Sequence, residues 1–177
     1  MLRNPFYRFL IVGTTLFLAW YFVYEWYLRD HSMADEWVIH HLTVSSELIL
    51  KGMGYELTDY GFTGLHNRVG IANAPGVMIG AACDGLVLFA LFAVFVIAYP
   101  GSSRHRWWFI PTGILLIHYL NALRVVALTI IISWKKEWLS FNHDYTFTIL
   151  VYSIVFGLWW IWVKKFPAEK TIVPETK

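Results

Sequence analysis

Three residues of the 177-residue chain are of types that together perform acyl transfer: Cys83, Arg124 and His143. Cys83 is the single cysteine. It stands in Ile79-Gly80-Ala81-Ala82-Cys83-Asp84-Gly85-Leu86, where small residues lead in and a long apolar run follows. Thiolate is the nucleophilic form of cysteine, and the partial positive charge at a helix N-terminus favours it. A helix beginning near Ala82 places the thiol in its first turn. Asp84 opposes a thiolate electrostatically unless it caps the helix or is paired, and Gly85 permits close backbone approach. The plainer use of a lone cysteine is as a small buried hydrophobe. One cysteine forms no internal disulfide and is one ligand short of a thiolate-pair metal site.

Arg124 lies inside an apolar run. An arginine at membrane depth is costly and is normally paired or lines a wet cavity. Its structural use is an ion pair, with Asp84 or Glu47 as the available acids. Its chemical use is to stabilise an oxyanion or hold a substrate carboxylate. Asn121 is three residues earlier on the same helix sector. It is placed to orient the guanidinium, to donate to an oxyanion, or to make an ordinary interhelical hydrogen bond. His143 is the candidate general base and acid, because imidazole titrates near neutrality. It has competitors among the seven histidines: His40 and His41 above all, with His31 and His66 in the same segment and His118 one turn below Asn121. Adjacent His40 and His41 point to different helix faces. No set of ligands at helical spacing with carboxylates indicates a metal, and no cofactor is expected. His118 and the aromatics are all that speaks for a haem or quinone protein.

The elements that must position these residues follow from composition. Hydrophobic residues are 58% of the chain and charged residues 15%, against about 25% charged in soluble domains. Ten Trp and ten Tyr suit membrane interfaces. The expected fold class is an all-α polytopic membrane protein forming a single domain over 1–177, and the net charge of +2 gives no reason to expect nucleic acid. About four transmembrane helices are expected, at 9–28, 81–100, 107–134 and 145–163. The first is longer than the apolar core of a cleaved signal peptide, about 7–15 residues. The third exceeds the roughly 20 residues a membrane core needs, so it is tilted or protrudes. Between the first two, segment 29–80 contains a helical stretch from Ala34 to Lys51. It either lies flat at the interface or packs on the bundle. Glycines and short β-branched runs then predict turns and one or two extended pieces, through Asp59-Tyr60-Gly61-Phe62, Arg68-Val69-Gly70-Ile71 and Pro75-Gly76-Val77-Met78-Ile79. A short loop is expected to carry His143.

With four spans, the N-terminus, the 100–106 loop and the C-terminal tail share one side. That side holds Arg3, Arg8, Arg104, Arg106, Lys164, Lys165, Lys170 and Lys177 against Glu169 and Glu175. The positive-inside rule makes it cytoplasmic, with Lys135 and Lys136 a mild counter-signal on the other side. Arg124 is 17 residues beyond Trp107, about 25 Å along a helix, which lifts it to the outer leaflet. Cys83 and His143 fall at the same outer depth.

These motifs resemble the exosortase/archaeosortase family of polytopic membrane enzymes. Ala81-Ala82-Cys83-Asp84-Gly85-Leu86 at the start of a span, Asn121-Ala122-Leu123-Arg124 within the next, and His143 before a further span carry the resemblance, together with the glycine-rich lead-in from Arg68 to Ile79. It covers roughly Arg68 to Gly157 and rests on order, spacing and membrane side more than on any one motif. Its implied triad is Cys83, Arg124 and His143. The implied activity is that of a membrane cysteine transpeptidase or protease cleaving C-terminal sorting signals of secreted proteins at the outer face. The implied partners are substrates ending in a short motif, a transmembrane helix and a basic tail, with a lipid or glycan as an acceptor. Typical members are longer, with more spans, and often have a small polar residue where Asp84 stands. The alternative reading is a non-enzymatic assembly factor or receptor in which Arg124 pairs with an acid on a partner's transmembrane helix.

Overall fold

The computed structural model describes residues 4–29, 33–58, 67–135 and 137–167. His31, His66, Arg3, Lys136, the turn expected at Asp59–Phe62 and the tail charges Glu169, Lys170, Glu175 and Lys177 lie outside them. Helix α1 runs Pro5–Val23. The Asn4 side chain accepts from the Phe6 N–H at 3.0 Å, and proline occupies the first helical position, where its missing N–H costs nothing. A π-helical turn, Tyr24–Leu28, extends it. Helix α2 is Ala34–Gly52. A β-hairpin follows, with β1 (Arg68–Val69) antiparallel to β2 (Val77–Met78) in the register Arg68 to Met78 and Val69 to Val77. Then come a 3-10 turn at Ala81–Cys83, helix α3 at Leu86–Ala98 and helix α4 at Ser103–Trp134. A short α5 at Trp138–Phe141 passes through a π-helical turn, Asn142–Thr146, into α6 at Phe147–Lys165.

Among the described residues three helices are long and apolar enough to cross a membrane: Phe6–Leu28, Ser103–Trp134 and Phe147–Lys165. The span expected at 81–100 is helical only over the 13 residues of α3. That is about 20 Å, less than the roughly 30 Å of a hydrocarbon core. Gly85, at φ 95°, breaks the chain before Leu86 and keeps Cys83 out of the helix. The expected loop at His143 is also helical, because the π-helical turn carries α5 into α6 without an interruption.

Two cores stack along α4. At one end Phe92, Val96, Phe109, Ile117, Val155 and Trp162 join α3, α4 and α6. A Cβ placed on Gly113 overlaps the Phe92 ring, so glycine is what lets α3 and α4 approach. Phe9 of α1 packs edge-on against Phe95 and Tyr99, and the Ser102 N–H donates to the Phe166 carbonyl. Arg8, Arg104, Arg106, Lys164 and Lys165 therefore gather at this end. At the other end Leu42, Leu50, Val69, Ile79, Ala122, Val125 and Val126 join α2, the hairpin and α4. Of the two expected arrangements for the 34–51 stretch, the structure has α2 packed on the bundle. Its buried stripe of Asp35, Val38, Leu42, Ser46 and Leu50 lies against α4. The expected extended pieces are the hairpin strands, with a further bridge between Leu57 and Ile71.

Candidate active site

The Cys83 turn sits where the two cores meet. Its shape is set by four residues in sequence. The Cys83 N–H donates to the Gly80 carbonyl at 2.8 Å, closing the 3-10 turn. Asp84 Oδ1 accepts from the Leu86 N–H at 2.8 Å, which caps α3. Gly85 takes the left-handed conformation, and a Cβ there meets Asn121 Nδ2 at 3.3 Å. Asn121, itself buried, donates from Nδ2 to the carbonyls of both Cys83 (2.8 Å) and Asp84 (3.0 Å). Its amide hydrogens are thus used on the backbone of the Cys83 turn, not on the guanidinium.

His143 comes to this turn from the π-helical segment. Its Nε2 is 3.2 Å from Cys83 Sγ, within the range of a hydrogen bond to sulfur, although the residues are 60 apart in sequence. Arg124 Nη2 donates to the His143 carbonyl at 3.3 Å, and Thr148 Oγ1 reaches the same carbonyl at 3.3 Å. The structure thus brings Cys83, Arg124 and His143 together. They line one cavity of about 500 Å³ with Ala81, Asp84, Gly85, Val87, Leu88, Asn121, Thr148 and Tyr152. This cavity holds one thiol, one imidazole and one guanidinium in a wall of mixed polar and apolar residues.

One alternative and one expectation about charge are not met. Arg124 forms no ion pair with Asp84 or Glu47: among the described residues the single salt bridge is Arg29 with Glu25. Cys83 lies before α3 and not in its first turn, so the helix terminus acts on it through the intervening Asp84 and Gly85. The competing histidines go elsewhere. His40 and His41 are exposed on α2, the latter edge-on to Trp37 at 4.2 Å. His118 faces Phe89 at 6.4 Å. None of the three lines the cavity. No group of three or more His, Cys, Asp or Glu among the described residues is placed to hold a metal.

Sequence reasoning missed Tyr24 and Asp35. The Tyr24 hydroxyl donates to Asp35 Oδ1 at 2.7 Å, and both residues are buried. Asp35 in turn lies within hydrogen-bonding reach of the Asp84 carboxyl. The signal was present: Asp35 shares the i, i+3, i+7 stripe of Val38 and Leu42, and an acid on an apolar helix face needs a partner. Asp84 is 1% exposed. Burial, with the Asp35 carboxyl next, pushes its pKa up to about 7. A carboxyl so placed is largely protonated below neutrality, which lessens its opposition to a thiolate at Cys83. Comparison with known proteins gave no match to any family model, curated sequence or solved structure.

Proposed function

We propose that the chain is a membrane-embedded cysteine transpeptidase or protease of the exosortase type, cleaving C-terminal sorting signals of secreted proteins at the outer face of the cytoplasmic membrane. The observation that carries this reading is the 3.2 Å approach of Cys83 Sγ to His143 Nε2, the geometry of an activated nucleophile and its base. With α3 returning the chain from the Cys83 end to the end where Phe92 and Val96 pack on Trp162, both termini lie in the cytoplasm and the end of the bundle bearing Cys83 faces outward.

The mechanism follows from the groups present. His143 Nε2 takes the thiol proton as Cys83 Sγ attacks the carbonyl carbon of the scissile peptide bond. The carbonyl electron pair moves to oxygen, where the Arg124 guanidinium stabilises the anion. Collapse breaks the C–N bond. His143 returns its proton to the leaving amine, and the substrate acyl group remains on Cys83 as a thioester. Water, or an amine or hydroxyl of a lipid or glycan acceptor, loses a proton to His143 and attacks the thioester. Thiolate then leaves and is reprotonated. The apolar wall at Val87 and Leu88 suits the segment joining a substrate's cleavage motif to its membrane helix. No cofactor enters any step.

Co-expression with a secreted protein ending in a short motif, a transmembrane helix and a basic tail tests this reading. The wild type is expected to release a shortened product. Cys83→Ala and Arg124→Ala are expected to accumulate in the membrane normally and leave the substrate intact. Normal processing by Cys83→Ala overturns the proposal.

A further inference from the structure

Asp84 has a buried carboxyl whose two oxygens are used unequally. Oδ1 caps α3 through the Leu86 N–H. Oδ2 is buried and has no hydrogen-bond donor among the described residues. The group within its reach is another acceptor, the carboxyl of Asp35. Asp35 Oδ1 is already taken by the Tyr24 hydroxyl. Two carboxylates facing each other in a buried site repel strongly, and one proton between them converts that repulsion into a hydrogen bond.

We infer that Asp84 and Asp35 share one proton, and that the bridged pair is a positioning device for the nucleophile: it ties the Cys83 turn to α2 and, through Tyr24, to α1. The inference rests on reading Cys83 as the nucleophile. The groups around the pair leave a proton as the linking species. From the end of α1 comes the Tyr24 hydroxyl, with Arg29 beyond it bound to Glu25. From α4 comes the neutral Asn121, which holds the backbone of Cys83 and Asp84. Arg124 is directed to the His143 carbonyl, and His143 meets Cys83 itself. While the pair holds its proton, it bears at most one negative charge and the turn stays seated. When the proton is lost, two buried anions repel each other beside the thiol and oppose its ionisation.

Infrared spectroscopy of the purified full chain near pH 6.5 tests the shared proton without any substrate. The wild type is expected to show a protonated-carboxyl C=O band that is lost in both Asp84→Asn and Asp35→Asn. Absence of the band from the wild type, or its survival in both variants, overturns the inference. Positioning is read from the rate at which iodoacetamide alkylates Cys83 as pH is varied. Asp84→Asn keeps the cap and can donate to Asp35. Its rate should match the wild type within about twofold at pH 6.5 and exceed it by about threefold or more near pH 8.5, where the wild-type pair has lost its proton and opposes the thiolate. Asp84→Ala should fall about tenfold at pH 6.5, with Asn restoring the rate. A superimposable pH profile for Asp84→Asn overturns the positioning role, and the infrared result stands even if Asp84→Ala fails to fold. These readouts are independent of peptide cleavage. They can fail while Cys83→Ala still abolishes processing, and they can succeed if no substrate is ever cleaved.

Discussion

Cys83, Arg124 and His143 differ in how each is held, and this sets what their substitutions do. Cys83 is fixed by its backbone: Asn121 takes its carbonyl and Gly80 its N–H. The side chain is left to meet His143. Cys83→Ser should therefore fold and lose substrate processing by about a thousandfold or more, as read by product release in the co-expression assay. His143→Ala removes the proton carrier and should cost about 10²–10⁴. Arg124 contributes charge at the cavity and a hydrogen bond to the His143 carbonyl, so Arg124→Gln should cost about 10²–10³ in rate. Restoration of full activity by Gln would show that the charge is not used. At this scale the sequence was informative about residue types. The three candidates named from it line one cavity, and the competing histidines do not. What it could not reveal was the use of Asn121 and the pairing of Asp84. Both depend on where the chain turns between Gly80 and Leu86, and a glycine and an acid in series do not dictate that turn.

The elements convert these residues into a site through two local departures from regular helix. Gly85 ends the 3-10 turn and redirects the chain into α3. The π-helical turn at Asn142–Thr146 carries His143 within an otherwise continuous helix, a placement common at functional sites. Hydropathy detects apolar runs and not such departures. The run at 81–100 therefore read as one continuous helix, and the polar residues around His143 read as a loop. Gly85→Ala should destabilise the protein by about 1 kcal/mol or more, since the new Cβ is both strained at φ 95° and tight against Asn121. It should also slow Cys83 alkylation, because Asn121 is displaced. Gly113→Ala is the contrasting case. Its Cβ overlaps Phe92 in the core away from the site. The expected cost is about 1–3 kcal/mol of stability, seen as a lower melting temperature, with the Cys83 alkylation rate per folded molecule unchanged.

In the whole molecule Arg8, Arg104, Arg106, Lys164 and Lys165 gather at one end of the bundle and the reactive residues lie toward the other. Composition made the apolar character legible, and among the described residues the three helices long and apolar enough to cross a membrane follow from the runs Phe6–Leu28, Ser103–Trp134 and Phe147–Lys165. The packing of α2 on α4 was not decided by sequence, because an amphipathic helix serves an interface and a bundle equally well. Its buried face brings Asp35 to the site, which couples global stability to pH. The folded-state pKa of Asp84, about 7, lies above its ordinary value of 3.8. The fold favours the protonated form, so the stabilisation is complete below about pH 4 and is lost as pH rises through about 7. Thermal unfolding in nanodiscs should occur at a higher temperature at pH 5 than at pH 8, and Asp84→Asn should flatten that difference. The same polarity of the bundle yields the most direct test of the central claim, that Cys83 is an activated nucleophile at the outer face. A membrane-impermeant thiol reagent is added to intact cells, and labelling of Cys83 is timed near pH 7 in the wild type and in His143→Ala. Rapid labelling from outside is expected, slowing about tenfold or more without His143, as loss of a positioned base requires. A thiol that stays unlabelled, or that reacts at the same rate in both proteins, would contradict it.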